Sequence, residues 1–259
     1  MSSAARTTSA ASGTTPEGAP TRRDRMRALT VREILTVARG LLVDLGHTGL
    51  TTRAVARQMQ MSSPALYRYF ASHEELKDVL LAELFDELSA HLRAAAAEAD
   101  SPDDPLVPLV AASRALRGWA LAHPHEFEFM LVHSTGDPTV ESDQLRARRE
   151  FGGVMLSLLA DAARPETMVA PSPTPPPAAV EAMVRYCAAT GVELEAAVAP
   201  IAVQCWVRLY GSVSMATMGQ LEPLGEHAAA VFEQELDAMA RLLGHEGLPA
   251  RSTDADRRT

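Results

Sequence analysis

The sequence has little cysteine, a single lysine and no long hydrophobic run. No uninterrupted apolar stretch in its 259 residues is long enough to span a bilayer, and the first residues lack the apolar core of a secretory signal. We therefore expect a cytoplasmic protein without a membrane partner. Cys187 and Cys205 have neither the spacing of metal ligands nor that of a disulfide framework. This predicts buried free thiols, with a redox-sensing pair as the alternative.

Motifs typical of enzymes and metal sites are also missing from the sequence. No phosphate-binding loop follows a strand pattern, no GxSxG elbow occurs, and no strand-rich region could carry a Rossmann unit. His123, His125 and His133 lie near Glu126 and Glu128, but their spacing contains no HExxH motif. Helix-end and surface histidines are therefore favoured over metal ligands. We predict no enzyme, no catalytic residues, no metal and no cofactor.

Charge is distributed very unevenly along the chain. The net charge of −9 argues against nucleic-acid binding only if it is averaged over the whole sequence. Residues 22–70 contain nine arginines and three acidic residues, a net charge of +6, which leaves −15 on residues 71–259. A basic segment joined to an acidic body is typical of a DNA-binding head whose body is kept away from the phosphates.

Residues 51–70 have the pattern of a helix-turn-helix motif. Thr51 or Thr52 can cap a first short helix, residues 60–62 interrupt it, and Ser63 followed by Pro64 starts a second helix. Leu66 and Phe70 are four residues apart and share one face of this second helix, which predicts that they are core anchors.

The opposite face of the second helix carries small residues followed by hydroxyl and guanidinium groups. We expect Ser63, Pro64, Ala65 and Arg68 to face the bases of double-stranded DNA, while other side chains contact the backbone. The alternative is that the two tyrosines are half-buried aromatics of an ordinary helical bundle. The predicted DNA-binding residues are Thr52, Arg53, Ser63, Pro64, Ala65, Tyr67, Arg68, Tyr69, His73 and Lys77.

The stretch ALYRYF followed by SHEEL resembles the TetR/AcrR family of bacterial transcriptional regulators. The resemblance implies an all-helical homodimer with an N-terminal DNA-binding domain and a larger domain that dimerises and binds a small effector. Gln60 stands where the family commonly has glycine, so a positive φ in the turn would be strained. His73 stands where the family often has a phosphate-contacting lysine, which would make binding weaker or pH-sensitive. The segment WVRLYGSV is similar to the W-x-x-L-H-G-x-V pattern of a WHG-like C-terminal subgroup, with Tyr210 replacing histidine.

The fold class that we predict is all-α, with a three-helix DNA-binding domain and a larger helical domain. The first helix is expected over about Val31–Leu45, a long helix over Ser72–Ala99, and the last two over Glu193–Met218 and Gly225–Leu243. Pro200 predicts a kink or a late start in the first of these last two. The predicted boundaries are a disordered leader (1–24), the DNA-binding domain (25–71), the effector and dimerisation domain (72–246) with a proline-rich loop at 165–178, and a disordered tail (247–259).

Aromatic and methionine side chains of the second domain are candidates to line an effector cavity, because ligand pockets are mostly apolar. Taken singly, each of these side chains is more often part of a core. The candidates are Trp119, Phe127, Met130, Met155, Tyr186, Trp206 and Tyr210. We expect a homodimer through the last two helices and a repressor that leaves a palindromic operator when a small, mainly apolar effector binds. The alternative is a helical ligand-binding or protein-interaction module that no longer reads DNA.

Overall fold

The computed structural model describes residues 21–99, 101, 103–133 and 142–248, and within these ranges the chain is helical without strands. The α-helices are α1 (Arg22–Leu45), α2 (Thr52–Gln58), α3 (Ser63–Leu66), α4 (His73–Glu98), α5 (Leu106–Ala122), α6 (Pro124–His133), α7 (Asp143–Ala162), α8 (Pro177–Ala188), α9 (Ala199–Thr217) and α10 (Ala228–Leu242). A 3-10 helix, Glu222–His227, precedes α10. The predicted all-α class is confirmed. None of the described helices combines the length and the apolar character needed to cross a bilayer.

Helix α1 begins nine residues earlier than predicted, at Arg22 rather than near Val31. Thr21 and Asp24 form a capping box, in which the Thr21 hydroxyl accepts the N–H of Asp24 at 3.2 Å. Residues 22–29 are exposed, so the early turns of α1 bury no apolar stripe that a periodicity argument could detect. The basic run at 22–27 therefore belongs to the helix and does not precede it.

Helix α4 is the central element of the core. It packs against α5 and α7 and also contacts α1 and α6. Its predicted stripe is buried, because Leu76, Leu80, Leu84, Leu88 and Leu92 are each at most 1% exposed. Burying a leucine side chain contributes roughly 1.5–3 kcal/mol. This stripe therefore holds α1–α3, which we call the head, and α5–α10 to one common helix.

The C-terminal helices start later than the hydrophobic pattern predicts. Helix α9 begins at Ala199, so Pro200 marks a late start and not a kink. Helix α8 begins at Pro177, and the preceding proline-rich loop is attached at its first half to the end of α10. There Thr167 donates a hydrogen bond to the carbonyl of Gly244 at 2.8 Å.

Most of the predicted disordered leader and tail lies outside the described residues. At the leader boundary, residues 22–24 form the first turn of α1. At the tail boundary, the N–H of Leu248 donates to Asp237 Oδ1 at 2.9 Å, so residue 248 is hydrogen-bonded to α10.

Candidate nucleic-acid interface and ligand cavity

Side-chain caps fix the start of both helices of the motif. Thr51 Oγ1 accepts the N–H of Ala54 at 3.1 Å, so the first of the two candidate threonines caps α2. The cap of α3 is Ser62 and not Ser63 as predicted, because Ser62 Oγ accepts the N–H of Ala65 at 3.3 Å. Ser63 becomes the first helical residue, and the proline after it still lies in the first turn, where no N–H is required.

The turn between α2 and α3 is built around Gln60. The N–H of Met61 donates to the carbonyl of Ala56 at 2.9 Å, and the N–H of Gln60 donates to that of Arg57 at 3.1 Å. These two hydrogen bonds make a Schellman motif, which requires a positive φ at its cap residue. Gln60 has a φ of 55°. The strained conformation expected from the sequence is present, on a residue that carries a Cβ.

One face of α3 anchors the motif in the core. Leu66 and Phe70 are 1% and 4% exposed, as predicted. Although α3 itself ends at Leu66, the N–H groups of Tyr69 and Phe70 donate to the Leu66 carbonyl at 2.9 and 3.2 Å. Helical hydrogen bonding therefore continues through Phe70 and orients the side chains between these two anchors.

The opposite face of α3 is open to solvent. Tyr67 is 48% exposed, and Pro64, Arg68 and the α2 residue Arg53 are also exposed. Tyr67 is therefore not an aromatic sealed in a helical bundle. The half-buried candidates on the same motif are Thr52, Ser63, Ala65 and Tyr69.

Arg27 from α1 supports this surface from behind, a contact that the sequence analysis missed. Its Nη1 donates to the carbonyl of Arg68 at 2.9 Å, and its guanidinium lies 5.4 Å from the ring centre of Tyr69. The two contacts hold the end of α3 to the first helix. The only available signal was the arginine run at 22–27, which we had placed outside the helix.

His73 and Lys77 are less available to a phosphate than their sequence positions imply. Lys77 donates to Glu74 at 3.0 Å, and its side chain is 14% exposed. Burial, followed by the charge of Lys77, lowers the pKa of His73 below its ordinary value. His73 is therefore neutral at neutral pH, and any contact that it makes with a phosphate there is an uncharged hydrogen bond.

An ion-pair cluster joins the head to the rest of the molecule. Arg39 of α1 donates to Glu87 of α4 at 2.5 Å and to Glu126 of α6 at 3.3 Å. Glu87 also accepts the indole N–H of Trp119 at 3.1 Å. The hydrogen bond from Arg39 is the main cause that lowers the pKa of Glu87. Sequence reasoning did not find this cluster, because its members are far apart in the chain.

The histidines of α6 belong to this same junction and do not form a metal centre. The ring of His125 is hydrogen-bonded through Nδ1 to the carbonyl of Val43 in α1 at 2.6 Å. His133 lies edge-on to His47, with ring centres 5.5 Å apart. No group of three or more histidine, cysteine or acidic side chains suitable for a metal ion occurs in the described part of the chain.

A cavity of about 480 Å³ lies among α4, α6, α7, α8 and α9. Four predicted residues line it, namely Met130, Tyr186, Trp206 and Tyr210. Its further lining residues, which were not predicted, are Phe85, Leu131, Leu145, Arg148, Arg149, Phe151, Gly152, Ala189 and Thr190.

Three predicted lining residues are not part of this cavity. Phe127 is fully buried behind it, with its ring centre 5.6 Å from that of Tyr210. Met155 is a fully buried core residue, and Trp119 belongs to the Arg39 cluster. Their apolar character was read correctly, but a periodic pattern does not distinguish a core face from a cavity wall.

The polar groups of the cavity are cationic or neutral. Burial raises the pKa of Tyr210 to about 12, and it also raises the pKa of Tyr186. Both hydroxyls are therefore protonated at neutral pH and can donate hydrogen bonds. The charge of Arg148 acts on both tyrosines in the opposite direction, which places its guanidinium near both hydroxyls.

The two cysteines are buried free thiols, as predicted. Burial raises the pKa of Cys187, and it raises the pKa of Cys205 to about 12. Thiols with raised pKa values contain little thiolate at neutral pH, which argues against the redox-sensing alternative.

Two protein-family models match the chain. Residues 34–80, from α1 to α4, match the model of bacterial regulatory proteins of the tetR family. Residues 109–239 match the model of a tetracyclin repressor-like C-terminal domain. The second match covers about half of the chain and includes α6–α9, which carry most of the cavity wall.

The chain is also similar to regulators of known sequence. The HTH-type transcriptional regulators Rv1816 of Mycobacterium tuberculosis and Mb1846 of Mycobacterium bovis are each 37% identical over 105 residues. The alignment covers 40% of this chain and 43% of each relative, so it spans less than half the length of these curated relatives.

Solved structures extend the similarity over most of the chain. The protein SCO4313, described as regulatory, has a TM-score of 0.62 at 27% identity, covering 85% of this chain and 98% of its own. A protein of unknown function from Rhodococcus sp. RHA1 has a TM-score of 0.60 at 22% identity, covering 83% and 95%. The second likeness concerns the fold alone.

Proposed function

Because the chain belongs to the TetR family of bacterial transcriptional regulators, we propose that it acts as a homodimeric repressor. In this proposal the motif surface binds a palindromic operator, and a small molecule in the cavity releases it. The observation that carries the proposal is the exposed face of Pro64, Tyr67 and Arg68, held in place by the buried pair Leu66 and Phe70.

The chemistry of this face suits the major groove. Pro64 and the small residues beside it let the start of α3 approach the base edges closely, while Arg68 offers a guanidinium for guanine or phosphate. The hydroxyl of Tyr67 and the guanidinium of Arg53 are placed to contact the backbone. The head carries nine arginines against three acidic residues, which favours approach to DNA over its whole surface.

A dimer through the last two helices would present two such faces together. Val207, Met215 and Met218 of the α9 region are 64%, 45% and 54% exposed, a larger apolar surface than one turn needs. Two-fold pairing would cover these side chains and set the two α3 helices about 34 Å apart, one helical turn of DNA. Leu209 and Val213, which we had also assigned to the dimer face, are fully buried within the chain.

Release by an effector requires a connection between the cavity and the head. Helix α6 supplies one, because Met130 lines the cavity while Glu126 binds Arg39 of α1. Helix α4 supplies a second, because it contributes Phe85 to the cavity and Glu87 to the same arginine. An effector that favours one arrangement of these helices would shift the population of heads that fit the operator.

The test measures operator binding by Tyr67→Ala, with Tyr67→Phe as the matched variant that keeps the ring. DNA fragments selected from a genomic library provide the operator, and fluorescence anisotropy gives the affinity. We expect Tyr67→Ala to weaken binding by about tenfold, as the loss of a charged-group hydrogen bond does, without changing the dimer. Full affinity in Tyr67→Ala would contradict the docking model.

The salt dependence of the same assay separates phosphate contacts from base contacts. Replacing Arg53 by alanine should flatten the slope of log K against log salt by about 0.9, the value for one lost phosphate contact. Arg185→Ala removes an exposed arginine of α8 and is the control. An identical slope change in both variants would mean that Arg53 acts only through net charge.

The competing function is a helical ligand-binding module that no longer reads DNA. It is favoured by Lys77, whose ammonium is paired with Glu74, and by the strained turn at Gln60. Filter binding of genomic DNA at low and moderate salt distinguishes the two functions. Absence of binding at low salt would favour the ligand-binding module.

A further inference from the structure

We propose that the cavity is built for an aromatic carboxylate, so that the effector is a planar anion and not a neutral apolar molecule. The assignment rests on the proposed function only in taking this cavity as the effector site. It refines the sequence-based expectation, which considered apolar lining residues alone.

The cavity wall provides flat aromatic surfaces set at different angles. Trp206 and Tyr210 are stacked, with ring centres 5.0 Å apart and ring planes 24° apart. Phe151 stands edge-on to Trp206, at 5.6 Å and 67°, and contacts Phe85 at 5.5 Å. A planar aromatic ligand can stack on one ring and meet the edge of another, the two arrangements that aromatic pairs prefer.

The charge of the wall has one sign. Arg148 and Arg149 line the cavity, whereas none of the lining residues in the described part of the chain is acidic. A guanidinium has five N–H donors in a planar fork, so it can bind a carboxylate while it keeps another partner. A neutral ligand would leave this positive field without a counter-charge, and a cation would be repelled by it.

The neutral groups of the wall complete an anion site. Tyr186 and Tyr210 are protonated at neutral pH, and the guanidinium of Arg148 lies near both hydroxyls. A carboxylate placed there would accept hydrogen bonds from phenol and guanidinium groups together. The pKa of Tyr186 is lowered in part by a hydrogen bond with Trp206, which connects the polar groups to the stacked rings.

The volume limits the ligand to a compact molecule. At about 480 Å³ the cavity lies within the range of roughly 300–1,000 Å³ that holds small ligands. Tyr186 is 48% exposed while it lines the cavity, so this side of the wall reaches solvent and provides a path of entry.

The first experiment needs no protein variant. Isothermal titration compares 2-naphthoate, 2-naphthamide and 2-naphthamidine, which share one aromatic body and carry a negative, a neutral and a positive head group of similar shape. We expect the carboxylate to bind at least about tenfold more tightly than the amide, and the amidine to bind most weakly.

The second experiment assigns the preference to the two arginines. Arg148→Met and Arg149→Met should each reduce naphthoate affinity by about tenfold, and the double variant should bind naphthoate and naphthamide equally. Arg185→Met is the matched control, because it removes an exposed arginine outside the cavity. Circular dichroism and the naphthamide affinity itself report whether each variant keeps its fold.

Three results would overturn the assignment: equal binding of carboxylate and amide by the unmodified protein, naphthoate affinity that survives the double replacement, or no naphthoate binding at millimolar concentration. None of them affects the anisotropy measurement on Tyr67, which tests operator binding separately. Failure of the ligand class and failure of the proposed function can therefore be told apart.

Discussion

Replacing Gln60 by glycine should stabilise the protein. Gln60 caps α2 in a Schellman motif with a φ of 55°, a region that disfavours side chains with a Cβ. Both hydrogen bonds of the motif involve backbone groups only, so glycine can make them without loss. The side chain of Gln60 is exposed and makes no contact that the substitution would remove from the core.

Two opposing effects determine the magnitude. Relief of the left-handed conformation contributes about 1–2 kcal/mol. Glycine in turn increases the conformational entropy of the unfolded chain, which costs about 0.4–1 kcal/mol. The free energy of unfolding should therefore rise by about 0.5–1 kcal/mol, which raises the Tm by about 1–4 °C for a protein of this size.

The control is the same substitution two residues earlier, Gln58→Gly. Gln58 lies within α2, is exposed and has helical backbone, so glycine there should lower the free energy of unfolding by about 0.8–1 kcal/mol. Thermal and urea unfolding followed by circular dichroism measures both variants. If Gln60→Gly destabilised the protein as much as Gln58→Gly, the positive φ at Gln60 would be wrong.

Two further predictions concern the junction between the head and the other helices. Arg39→Met should lower the free energy of unfolding by about 1–3 kcal/mol in urea titrations, because it leaves the carboxylate of Glu126, 3% exposed, without its guanidinium. Glu126→Gln in the same background should restore part of the loss, and an unchanged Arg39→Met would contradict the role of the ion pair. Burial and the charge of Lys77 lower the pKa of His133 below its ordinary 6.5, so the unfolded chain binds more protons and stability should decrease as the pH falls below about 6.5. His133→Gln should weaken this dependence, whereas His227→Gln, at an exposed position, should leave it unchanged.

Local signals in the sequence predicted the helices well where side chains mark both ends. Helix α5 occupies residues 106–122 as expected, between the break at 101–105 and Pro124. Ser142 caps α7 as expected, accepting the N–H of Leu145 at 3.1 Å. Caps and breakers act over three or four residues, so one sequence is sufficient to find them.

Interactions between distant parts of the chain were not predictable in this way. Arg39, Glu87 and Glu126 are separated by 48 and 39 positions, and each resembles an ordinary surface charge in its own helix. The same holds for Arg148, which belongs to an arginine-rich stretch that reads as a solvated face. Only the packing of α7 against α4 and α9 places it on a cavity wall.

The short helix α6 explains why the ion pair and the cavity belong to one mechanism. Its ten residues extend about 15 Å, with Glu126 and His125 bonded to α1 near its start and Met130 on the cavity wall one turn later. A helix this short moves as a unit, so a ligand that displaces Met130 must carry Glu126 with it or break its bond to Arg39. Because a nearly buried carboxylate is costly without its guanidinium, we expect α1 to follow α6, which would turn a small displacement in the cavity into a change in the position of the DNA-binding face.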